Sequence, residues 1–214
     1  MGLAVTVGIL ADMIKCDEEG AQWVRDGIAK INAVLAEKGL PTHDEPEELP
    51  EIRSRCCICG YPYSFLHYLR RVYARFAQDS DYIASPFPES EEAADDPVVD
   101  QETYMFNSHL LCHSDCEGYY FPIPFDEIIV DETDQNRVVG GMICSSYHLR
   151  DELVAMAPCL RISLEDGELT DAEADRINGI VEADGALWIE HLVWLDLYES
   201  ARLSIEHKSA IHFG

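Results

Sequence analysis

Helical stripes at both ends of the chain and a strand-like middle predict an α+β fold. Three observations carry that reading. Apolar residues recur at helical spacing up to about residue 76, short apolar segments separated by turn residues fill about residues 103–143, and helical stripes resume after Ser145. The expected arrangement is N- and C-terminal helices packed on a small antiparallel sheet formed by residues 103–143.

Leu3, Val7, Leu10 and Ile14 predict a helix over residues 3–15, with a short strand at Val5-Thr6-Val7 as the alternative. No basic residue precedes Lys15 and no small-residue cleavage site is evident, so the segment reads as a core element and not as a secretory signal. Asp17 is placed to cap a second helix whose stripe is Ala21, Val24, Ile28, Ile31 and Leu35, stopped by Gly39 and Pro41. A polar connector, residues 42–51, follows. A third helix begins after Pro62, with Ser64 as N-cap and Phe65, Leu69, Val72 and Phe76 as its stripe. It carries Arg70, Arg71 and Arg75, the densest basic cluster of the chain, which reads as a solvated face paired with carboxylates or, alternatively, as an anion pocket.

Residues 79–102 hold acids, Pro86, Pro88 and Pro97 and no basic residue, and read as a loop. Tyr104–Leu111 and the segment YYFPIPF flank the polar run HSDCEG, which predicts a β-hairpin whose second strand Pro122 and Pro124 would confine to an edge. A short strand at Glu127–Val130 and a turn at Asp131–Asn136 complete the sheet. Ser145 or Ser146 caps a helix bearing Leu149, Leu153 and Met156. Thr170 and Glu173 form a capping box for the next helix, and a helix from Ala186 to about Ile205 is apolar on most sides, as a central buried helix is.

The chain is read as one compact domain over residues 1–214, with the acidic, proline-containing loop as an excursion. It has 41 acidic against 15 basic residues, a formal net charge of −26. That balance argues against binding nucleic acid through its phosphates and against attachment to an anionic membrane. No apolar run is long enough to span a bilayer. Eight cysteines without an export signal fit a reducing, cytoplasmic setting. Cys16, Cys144 and Cys159 stand among apolar or helical residues and read as core.

Two constellations could carry chemistry. Cys56 and Cys59, in a C-x-x-C-Gly run, and His113 and Cys116, in an H-x-x-C run, together offer three thiolates and an imidazole, a closed tetrahedral set suited to structural zinc. The run His113-Ser114-Asp115-Cys116-Glu117 also offers a base, a nucleophile and an orienting acid, although a polar turn explains the same residues. No catalytic motif identifies a reaction. The expected function is therefore an acidic cytoplasmic binding or regulatory protein, an immunity-type inhibitor or an adaptor, with a basic protein as partner and no nucleic acid involved. The alternatives are a small hydrolase built on His113–Glu117 and a housekeeping protein of a salt-adapted organism.

Overall fold

The chain opens in strands where the apolar spacing predicts a helix. In the computed structural model, which describes residues 2–58, 60–88, 92–131 and 137–214, β1 (Gly2–Leu3) and β2 (Val5–Val7) precede α1 (Ile9–Cys16). The β-branched side chains of Val5-Thr6-Val7 favour extended backbone. Gly8, at φ 88°, then turns the chain into the helix. Cys16 is exposed at the end of α1, contrary to its core assignment, whereas Cys144 and Cys159 are buried.

α2 (Glu18–Glu37) forms as its stripe predicts, and the Asp17 carboxylate accepts the Gly20 N–H at 3.0 Å. The stripe meets two neighbours. Ala21, Val24 and Ile28 pack on Ile9 and Leu10 of α1, and Ile31, Val34 and Leu35 pack on Tyr119, Phe121 and Ile143 of the sheet. β3 (Tyr61–Pro62) pairs with β1, and α3 (Ser64–Gln78) follows. Ser64 is the first residue of that helix and Tyr63 holds the cap position without a side-chain hydrogen bond.

The later part of the acidic stretch is helical instead of a loop. Asp96 accepts the Val98 N–H and starts α4 (Pro97–Thr103), with Pro97 at its first position. The expected strand over Tyr104–Leu111 is instead a turn followed by α5 (His109–Cys112), whose cap is the Ser108 hydroxyl. No hairpin forms around HSDCEG; that run links α5 to β4 (Gly118–Phe121). β5 (Ile129–Val130) follows. Of the turn expected at 131–136, residues 132–136 lie outside the described ones. β6 (Met142–Ser145) leads into α6 (Ser146–Met156), where Ser145 Oγ accepts the Tyr147 N–H. α7 (Asp171–Glu182), α8 (Trp188–His207) and β7 (Ile211–Phe213) end the chain.

The fold is α+β, with a five-stranded mixed sheet among the described residues in the order β2-β7-β4-β6-β5. β4 and β6 run parallel and the other pairs antiparallel. β4 is therefore central, and Pro122 ends it instead of forcing it to an edge. Tyr119 and Phe121 face α2, while Tyr120 faces the opposite layer, which α8 and α6 dominate. With both faces covered, the strand reads as a continuous apolar run and not as an alternation. α8 is buried along most of its length, and Trp194 donates its indole N–H to the Leu153 carbonyl at 2.9 Å. Among the described residues, no helix is long and apolar enough to cross a membrane.

Candidate functional site

The arginines of α3 face carboxylates of their own chain. Arg70 is buried and donates to the Leu110 and His113 carbonyls and to Asp115. Arg71 and Arg75 both donate to Asp96, at 3.0 and 2.6 Å, and the Arg71 guanidinium lies 4.4 Å over the Phe87 ring. Burial raises the Asp96 carboxyl, but hydrogen bonds from Arg75 and from the Val98 N–H outweigh it and hold the group below its ordinary value. The cluster thus pins the acidic stretch and the 113–115 loop to α3. The pairing with carboxylates is as expected, though Arg70 and Arg71 are buried instead of solvated, and Arg71 and Arg75 also line a hollow of about 510 Å³ beside Asp95 and Asp96.

The run His113–Glu117 does not converge. His113 is buried, its ring stacked 4.1 Å from that of Tyr120 and edge-on to Phe213, and its Nδ1 donates to the Ser114 carbonyl. Burial, more than any other cause, pushes His113 down to about 3, so it is neutral at physiological pH. Asp115 is held by Arg70, and Cys116 and Glu117 stand exposed.

Of the four residues whose spacing points to zinc, Cys59 lies outside the described residues. Cys56 is buried and Cys116 exposed. His113 Nε2 has no hydrogen-bond partner among the described residues and lies against Gly118, and among the described residues no three His, Cys, Asp or Glu side chains come together as a metal set. Structural zinc on these four residues is our proposal from their spacing. Protein purified without added metal should carry about one zinc per chain, lost in Cys59→Ser and kept in Cys159→Ser. Metal-free protein whose melting is indifferent to chelator would end that proposal.

Several inner carboxylates serve the frame. Glu152 accepts the backbone N–H groups of His109 and Leu110, each at 2.8 Å, and burial lifts its carboxyl to about 7. Glu199, fully buried on α8, accepts from Arg55 and Arg202. Asp196 lines a hollow of about 510 Å³ between β2, α1, the 49–58 connector and α8. Its Oδ2 is buried without a hydrogen-bond partner among the described residues. Burial raises its carboxyl to about 7, with the neighbouring Tyr61 hydroxyl partly opposing. A carboxyl raised on folding binds more protons in the folded state between about pH 4 and pH 7, so its contribution to stability is lost as pH rises through that window. Asp196→Asn should remove this loss. Relative to wild type it should gain up to about 4 kcal/mol between pH 4 and pH 8, read from denaturant midpoints. A difference that stays flat with pH would refute the assignment.

Sequence reasoning did not find the outward face. Exposed carboxylates follow one another on α2 and its connector (Glu18, Glu19, Asp26, Asp44, Glu48), on the α4 side (Asp79, Asp81, Asp95, Asp100) and around α7 (Glu165, Asp166, Asp171, Asp175, Glu182). The arginines that accompany them are engaged by this chain's acids: Arg25 by Glu18 and Glu47, Arg137 by Glu37 and Asp131, Arg176 by Glu173. On α7, Asp171, Asp175 and Glu182 share one helix face, since steps of four and seven residues return nearly to the same angle.

The molecule is thus an α+β protein that presents dense outward negative charge on a frame braced by internal arginine–carboxylate pairs. A family model described as "Putative DNA-mimic protein" matches residues 1–213, and the chain belongs to that family. Neither a curated protein nor a solved structure matches it. The membership overturns the expected generic acidic regulator or adaptor, the hydrolase on His113–Glu117 and the salt-adapted housekeeping protein. It also overturns the expectation that nucleic acid has no part in the function. A surface whose charge repels DNA can also imitate it.

Proposed function

We propose that this protein binds the DNA-contacting surface of a DNA-binding protein, presenting carboxylates where DNA presents phosphates. Family membership carries the reading, and the charge geometry supports it. The 12 residues of α7 span about 18 Å at 1.5 Å per residue. They hold Asp171, Glu173, Asp175 and Glu182, with Arg176 of the same helix paired to Glu173 and Arg55 reaching Asp171. One DNA strand carries about five phosphates over that length, so the four carboxylates are spaced much as phosphates are, with part of their charge offset by those two arginines. Side chains that neutralise phosphates are lysines and arginines, and these meet a carboxylate equally well. The frame is ordered before contact, so binding costs little conformational entropy. A reducing compartment that holds DNA-binding proteins, the cytoplasm in our reading, suits this role.

The direct test uses proteins retained on DNA-cellulose from a lysate of the source organism. Added at low salt, the protein should release a discrete subset of them, and duplex DNA should compete for the same subset. Polyglutamate of matched charge is the control. If it releases the same proteins equally well, the charge acts without any DNA-like arrangement and the proposal fails.

A further inference from the structure

The DNA-mimic reading does not explain the end of α4. Tyr104, Met105 and Phe106 are 87%, 65% and 45% exposed, three consecutive large apolar side chains turned to solvent in a strongly acidic protein. The turn that presents them is held residue by residue. Tyr104 N–H donates to the Asp100 carbonyl, Met105 N–H to that of Glu102 and Phe106 N–H to that of Thr103, at 3.0–3.1 Å. Phe106 sits at φ 57°, a left-handed conformation uncommon for an aromatic residue and found where surrounding structure enforces it. The support beneath is equally fixed. Val99 packs with Ala74 of α3 and Leu111 of α5, Asp96 is gripped by Arg71 and Arg75, and Gln78 donates to Glu102.

Resting on the DNA-mimic reading, we propose that Tyr104-Met105-Phe106 is the anchor on which the arginine-bearing, DNA-contacting face of the partner seats. Charge complementarity chooses this occupant. No lysine or arginine lies between Asp79 and Ser108, and exposed Asp79, Asp81, Asp95 and Asp100 belong to the same stretch. A second copy of this chain would bring a further −26 to the same patch, and an anionic lipid surface would be repelled likewise. A cationic protein surface is attracted, and its side chains suit the rings: guanidinium groups stack on Tyr and Phe, and the aliphatic stems of Lys and Arg cover Met. Tyr, Phe and Met are also the types enriched in interface cores, where a few buried anchors carry much of the binding energy. In this division the carboxylates supply attraction and salt dependence, and the tripeptide supplies adhesion that salt does not screen.

The test compares wild type with Tyr104→Ser/Phe106→Asn, the asparagine chosen because it tolerates left-handed backbone, with the milder Tyr104→Ser, and with Asp100→Asn/Glu102→Gln. Each immobilised full-length protein is offered the DNA-cellulose-retained fraction of the source lysate, and the bound protein displaced by duplex DNA is measured against salt. Matching melting temperatures check the fold of each variant. The ring variant should lose at least about tenfold in displaceable binding with its salt slope unchanged, and Tyr104→Ser should lose part of that. The charge variant should keep the rings' contribution and show a shallower slope. Equal binding by the ring variant overturns the anchor while leaving the carboxylate mimic in place. A wild type that holds nothing duplex DNA displaces overturns the mimic and the anchor together. Sedimentation showing a wild-type dimer split by the ring substitutions assigns the patch to a second copy and overturns the proposal.

Discussion

Affinity for the DNA-binding partner should fall by about 10²–10³ between about 50 and 200 mM salt, less steeply than the same partner's affinity for duplex DNA, for which 10³–10⁵ is usual with six to ten phosphate contacts. The difference in slope follows from charge density. Duplex DNA carries one charge per about 1.7 Å and holds condensed counterions whose release drives binding. The carboxylates of α7 lie several ångströms apart on a folded surface, so fewer ions condense there and fewer are released. Ordinary screening, with a Debye length of about 10 Å at 0.1 M, still weakens the contact. The protein should consequently displace duplex DNA from its partner more effectively as salt rises. Paired titrations of the two competitors at several salt concentrations give both slopes. A salt-independent affinity for this protein, or a slope steeper than that of DNA, would contradict carboxylates acting as phosphate substitutes.

A large loss of stability is expected at Glu199. Its carboxylate is fully buried at the middle of α8 and accepts from the Arg55 backbone N–H, from Arg55 Nε and Nη2 at 3.0 and 2.6 Å, and from Arg202 Nε and Nη2 at 3.1 and 3.0 Å. Arg55 in turn reaches the Leu169 carbonyl and Asp171, so one acid fastens the 49–58 connector and the start of α7 to the central helix. Glu199→Ala should cost about 3 kcal/mol, the lower part of the range for breaking a buried pair, because both arginine side chains are about a quarter exposed and can recover some hydration. Glu199→Gln keeps the shape and should cost less. The pH dependence runs opposite to that of Asp196. Burial raises the Glu199 carboxyl, but hydrogen bonds from Arg202 and Arg55 outweigh it and leave the group below its ordinary value. Its contribution is therefore present at neutral pH and lost as pH falls through the lowered folded value. Denaturant melts of wild type and Glu199→Ala should converge toward acid. A gap that widened there would refute the assignment.

The two acids are three residues apart on one helix, and nothing in the local sequence separates them. Asp196 faces the hollow with Tyr61 as its polar neighbour, whereas Glu199 meets two guanidinium groups, one of them 144 positions earlier in the chain. Opposite titration follows from that difference in surroundings alone. The α3 arginines repeat the point. Their clustering was legible, but that Arg70 is buried against α5 and its following loop, and that Arg71 and Arg75 share Asp96, required the folded chain.

By itself the sequence determined the α+β class, the apolar stripe of α2, the caps at Asp17 and Thr170, a serine cap at 145 or 146, the buried character of α8 and the extreme negative charge. These depend on periodicity, on residues three or four positions apart, or on composition, and no distant contact is needed to read them. Only the tertiary structure decided that the sheet recruits both chain termini, that β4 is central and parallel to β6, and that His113 is a core residue stacked on Tyr120. Strand pairing and burial depend on partners far away in sequence, and a short apolar segment carries no mark of which partner it will meet. The outward array of carboxylates and the exposed Tyr104-Met105-Phe106 run have the same origin: composition counts charges and rings, and only the fold chooses which of them water can reach.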